Sequence, residues 1–181
     1  MKTLKFLITA VIAGVALTSF YGCSDDKDDS SNDVSVIGLW KYEQASDKTT
    51  HYYQFGENNG VYTKQAKNGY GYQHGFTYTI SGKTVSLIIE SNELPENVVW
   101  DITEISSSEI KATTNGSTIT LQKADEVPSY KQAKNCVCVV TLEDNSMTVN
   151  LDEWLGECED IEADDLGRRQ FEEAVVRCHE E

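Results

Sequence analysis

Between residues 36 and 123 apolar and polar positions alternate over short stretches, and a polar turn interrupts them about every ten residues. The pattern predicts eight strands, near 36–44, 50–55, 60–66, 72–80, 84–90, 98–105, 109–114 and 117–122. Val85, Leu87 and Ile89 share one face of the fifth, and Ile119 and Leu121 one face of the eighth. In the sixth, Trp100 and Ile102 line up with Ile105 only after a slip of one residue. Turns are expected at 56–60 (GENNG), 81–83 (SGK), 106–108 (SSS) and 115–116. Asn115-Gly116 is the strongest of these, because both residues tolerate the positive φ of a tight hairpin. No helical period intervenes, so the strands should form an antiparallel meander with one wet face and one buried face. Eight such strands can close into a small up-and-down β-barrel, which removes exposed edges and has room for side chains or one small ligand.

After a linker at 124–134, residues 135–181 form a second unit. Residues 136–142 read as a strand, 143–146 as a turn and 147–151 as the return strand. Phe171, Ala174, Val175 and Cys178 recur at i, i+3, i+4 and i+7, which predicts a closing helix with Asp164 and Asp165 near its start. The fold class is therefore mainly β: a barrel of about eight strands followed by a small ββα appendage.

The N-terminus has a different character. Lys2 and Lys5 lead an apolar run from Phe6 to Phe20, the length of a signal-peptide core and short of the ~20 residues a membrane span needs. The run ends at Gly22-Cys23, which is similar to the bacterial lipobox. That resemblance makes residues 1–22 a lipoprotein signal peptide and Cys23 the acylated first residue of the mature chain. Residues 23–35, SDDKDDSSNDVS after the cysteine, have no apolar period and read as a solvated acidic tether. An acidic stretch at this place resembles the export signal of Bacteroidetes lipoproteins. It implies an outer-membrane protein held by palmitate-like chains and displayed at the cell surface, the periplasm-facing leaflet being the alternative. One acyl chain holds a protein only marginally, at ~0.8 kcal/mol per buried CH₂, and several hold it firmly.

Four cysteines remain: Cys136, Cys138, Cys158 and Cys178. An even count in an exported chain predicts two disulfides. Positions 136 and 138 point to one face of a strand about 7 Å apart, too far for a direct bridge, so each should reach Cys158 or Cys178. A C-x-C pair with two further cysteines also matches the ligand count of a zinc site, but an oxidising compartment favours disulfides.

Net charge is −15, from 30 acidic and 15 basic side chains, which repels phosphate backbones and argues against nucleic acid as a partner. His51, His74 and His179 are scattered, and G-x-S-x-G, a phosphate loop and H-E-x-x-H are all missing. The acidic residues from Glu157 to Asp165 lack the spacing of a calcium loop and read as a solvated face. No catalytic residue, metal or cofactor is predicted, and the chain is not expected to be an enzyme. Aromatic residues are the exception to this silence. Trp40, Tyr53, Phe55, Tyr62, Phe76, Tyr78 and Trp100 are candidates to line a cup for a small apolar ligand or glycan. Alternatively such rings fill the barrel, and a structural or accessory protein meets a protein partner through its outer surface.

Gly38-Leu39-Trp40 opens the first strand and resembles the G-x-W of lipocalins. The layout YYQFGENNGVYT, GFTYTISGKTVSL and VVWDITEISSSEIKATTNGSTITLQK is similar to the lipocalin-like domains of Bacteroidetes lipoproteins, over residues 36–123. The resemblance implies an up-and-down barrel. Lipocalins place a late-strand Arg over the early Trp; this segment has no Arg, which leaves Lys111 or Lys123 to take its place.

Overall fold

A computed structural model describes residues 34–91, 95–142, 145–162, 165–166 and 175–181. The expected signal peptide, Cys23 and most of the tether lie outside the described residues, as do Asp164, Phe171 and Ala174. Eight strands follow one another: β1 (Gly38–Gln44), β2 (Thr49–Phe55), β3 (Asn59–Ala66), β4 (Tyr70–Ser81), β5 (Thr84–Ile89), β6 (Glu96–Ile105), β7 (Glu109–Thr114) and β8 (Ser117–Lys123). Each pairs antiparallel with the next, and β8 returns to β1 through Trp40 opposite Lys123 and Lys41 opposite Gln122. The meander therefore closes into the expected barrel.

Local sequence explains the corners. Asn115 (φ 48°) and Gly116 (φ 75°) make the β7–β8 hairpin, both in the left-handed region the dipeptide favours. The slip in β6 is a bulge: the register with β7 shifts between Ile102 and Glu104, so Thr103 is the extra residue. Trp100 and Ile102 before it are buried, whereas Ile105 beyond it turns outward.

The core is continuous from Val36 and Trp40 through Phe55, Phe76, Leu87 and Leu121. It extends to the end of the barrel where the chain enters. There Val34 N–H donates to the Gly82 carbonyl at 3.2 Å, and the Trp40 indole donates to the Val36 carbonyl at 2.7 Å, which pins residues 34–36 under the barrel.

Pairing is incomplete at the opposite end. β5 stops opposite Phe76, leaving the first half of β4 without a β5 partner. A short strand, β9 (Lys131–Gln132), adds in parallel to Tyr70 and Gly71 on β4. Pairing between β1 and β8 stops after Lys41, so among the described residues the last three of β1 have no strand partner on that side.

The second unit is a three-stranded antiparallel sheet of β10 (Lys134–Leu142), β11 (Asn145–Trp154) and β12 (Val175–Glu180), with β10 in the centre. Disulfides join Cys136 to Cys158 and Cys138 to Cys178, at Cα separations of 5.6 and 4.0 Å. Each C-x-C thiol thus reaches one distal cysteine, and no thiol of the four remains to bind zinc.

The closing helix is a correction. Residues 175–180 are a strand, in which Cys178 lies directly opposite Cys138. Val176 and Cys178 turn inward while Val175, Arg177 and His179 are exposed, a period of two. Over so few residues the i, i+3, i+4 spacing cannot separate helix from strand, and the bridge to β10 decides.

The sheet rests on the barrel through polar contacts. Asn68 Nδ2 donates to the Leu155 carbonyl at 2.7 Å, Tyr70 donates to Glu157, and His74 Nε2 lies 2.9 Å from a Glu153 oxygen. Lys134 holds Glu157 at 2.6 Å and Glu180 at 3.1 Å.

Candidate functional site

The under-paired end of the barrel opens into a cavity of about 320 Å³. Its floor is aromatic, built by Tyr53 of β2, Tyr62 of β3 and Trp100 of β6, with Tyr42 of β1 above them. Ile89, Val98 and Ile119 add apolar wall. The rim is polar: Gln44 ends β1, Glu96 and Asn97 begin β6, and Asn115 and Ser117 flank the β7–β8 turn. This distribution follows from the meander. Alternate residues point inward, and the last inward positions of β1, β5 and β7, with the first of β2, β6 and β8, meet at one end.

The seven aromatic candidates divide by depth. Tyr53, Tyr62 and Trp100 line the cavity. Trp40, Phe55, Phe76 and Tyr78 are not brought to it, because they lie toward the other ends of their strands and plug that end. Phe55 meets Phe76 and Tyr78 edge-on at 5.0 Å each, and the Tyr78 hydroxyl donates to the Gly56 carbonyl at 2.6 Å. Tyr53 joins floor to plug, 4.8 Å from Trp100 and 6.4 Å from Phe76 between ring centroids. The barrel is thus packed at one end and open to a cavity at the other.

A polar chain runs beneath the cavity wall. Tyr62 Oη lies 2.8 Å from His51 Nδ1, and His51 Nε2 lies 3.1 Å from Thr49 Oγ1. Thr49 donates to Asp47 at 2.7 Å, and Asp47 is paired with Lys64 at 3.3 Å. A carboxylate only accepts, so the Thr49 proton points to Asp47; His51 then donates from Nε2 and accepts from Tyr62 at Nδ1. Burial, reinforced by the Lys64 charge, lowers the His51 pKa to about 4, so the ring is neutral. Burial, with Tyr53, Tyr72 and Glu96 nearby, holds the Tyr62 hydroxyl protonated far above the usual range. Burial opposes ionisation of Asp47, but Thr49 and Lys64 outweigh it and its pKa falls.

Sequence reasoning missed His51, Gln44, Glu96 and Asn97. Alternation turns His51, Gln44 and Glu96 inward, while Asn97, opposite the exposed Ile88, lies on the other face and reaches the rim only at the strand's start. Depth does not follow from alternation, since it depends on barrel closure. Among the described residues no three His, Cys, Asp or Glu side chains converge as a metal site.

A solved lipocalin-like protein from Bacteroides uniformis is similar to this chain at 15% identity, with 49% of this chain and 98% of that one covered and a TM-score of 0.41. No protein-family model matches the chain, and no curated protein does.

Proposed function

We propose that this is a lipid-anchored envelope protein whose barrel binds a small ligand at its open end and catalyses nothing. The observation that carries the reading is the cavity of about 320 Å³, with an aromatic floor and a polar rim above a solid plug. Cys23, acylated, tethers the domain to the outer membrane through the acidic segment that follows, displayed at the cell surface. Two disulfides in the second unit suit an oxidising compartment and support that address. The test of the site is native mass spectrometry of the protein released gently from its own envelope. A single small-molecule adduct, lost when Tyr53 and Tyr62 are both replaced by Ala, supports the reading; an adduct-free protein that stays so in a membrane extract contradicts it. Metabolic labelling with palmitate, absent in Cys23→Ser, tests the anchor.

A second reading has one observation in its favour. Ile88 and Val99 are each 48% exposed on the outer faces of the neighbouring strands β5 and β6, a surface a protein partner would cover.

A further inference from the structure

The described cavity lining holds one acidic side chain, Glu96, and no lysine or arginine, and the neighbouring His51 is neutral. Lys64, behind His51, is already matched by Asp47, and Glu96 forms no salt bridge among the described residues. Lys41 faces outward, and Lys123 covers the Trp40 ring at the plugged end.

Four ring systems share this space with one carboxylate. Aromatic faces are electron-rich, so an apolar cavity lined by them discriminates by charge: a cation gains both ring attraction and the carboxylate, whereas an anion loses on both counts. Resting on the ligand-site reading above, we propose that the ligand is a small organic cation, an ammonium-bearing molecule. Its charged head lies among Tyr42, Tyr53, Tyr62 and Trp100 and pairs with Glu96, while the amide oxygens of Gln44 and Asn115 accept its remaining hydrogens. The Glu96 field reaches two of these rings: after burial, it is one of the causes that raise the pKa of Tyr53 and Tyr62. The net charge of −15 adds a long-range pull that concentrates cations near the mouth.

The test compares tyramine with 4-propylphenol, in which a methyl group replaces the ammonium, by calorimetric titration at low ionic strength. Tyramine should bind at least about tenfold more tightly. Glu96→Gln should weaken tyramine about fivefold and move 4-propylphenol less than about twofold. Glu126→Gln, which removes an equal charge from an exposed position outside the cavity, should move neither. Equal or tighter binding of 4-propylphenol overturns the cation assignment but leaves the ligand site standing, as does tyramine affinity that Glu96→Gln leaves unchanged or that Glu126→Gln weakens equally. Failure of both compounds to bind at millimolar concentration overturns the ligand site itself, and the assignment with it.

Discussion

Lys123 Nζ lies 4.5 Å from the centroid of the Trp40 ring. The two residues face each other where β8 returns to β1, so the contact sits on the seam that closes the barrel. Of the two lysines expected as candidates to cover the early Trp, Lys123 does; Lys111 is engaged by Glu104 at 2.6 Å and Glu109 at 3.7 Å. Gly38 belongs to the same arrangement. Its φ is 130°, and a Cβ there would run into the Lys123 ammonium. Lys123→Met should lower stability by about 0.5–1 kcal/mol and Lys123→Arg should retain it. Gly38→Ala should cost more than Lys123→Met, because backbone strain adds to the lost contact. Urea midpoints read all three.

The barrel was legible because its strands are half-buried and announce themselves with period two. Val85, Leu87 and Ile89 are buried as their alternation requires, and the irregularity in β6 showed as a broken alternation before it showed as a bulge. What alternation could not supply was depth. Trp40 and Tyr53 both point inward and are directly opposite in the β1–β2 register, yet one belongs to the plug and the other to the cavity floor. That difference arises from strand stagger and from residues 34–36 folding beneath the barrel, and neither leaves a mark on local sequence. β12 failed to show for another reason. Its geometry is imposed by a covalent bridge to a strand 40 residues away.

His51 gives the protein a pH signature. Its folded pKa, about 4, lies below the ordinary value of 6.5. As pH falls, the unfolded chain therefore takes up this proton first. The contribution is complete above pH 6.5 and is lost between 6.5 and 4, by about 3 kcal/mol at most. His51→Gln should flatten this limb in urea unfolding measured across that range. A variant that keeps the full slope would show that His51 is not its source.

The bridges should be separable. Peptide mapping without reduction should recover Cys136 with Cys158 and Cys138 with Cys178. In the chain-entropy picture the loops of 22 and 40 residues stabilise by about 3 and about 4 kcal/mol. Cys138→Ser with Cys178→Ser should free β12, which hydrogen exchange would register as lost protection over residues 175–180 while the barrel strands stay protected.

Gly60 should tolerate no side chain. A Cβ there would collide with the Phe76 ring and the Gln54 carbonyl, inside the plug. Gly60→Ala is expected to cost about 1–3 kcal/mol through overpacking. Adding Phe76→Leu should recover part of that loss, and thermal midpoints of the single and double variants decide it.

Three indole N–H groups report on three regions: Trp40 in the plug, Trp100 at the cavity floor and Trp154 in the second unit. The most direct measurement is a titration of the ¹⁵N-labelled protein with tyramine, following these three signals by NMR. A saturable shift of Trp100, with Trp40 and Trp154 nearly still, is the predicted result. A still Trp100, or shifts led by Trp154 or Trp40, would contradict a ligand site at the open end of the barrel.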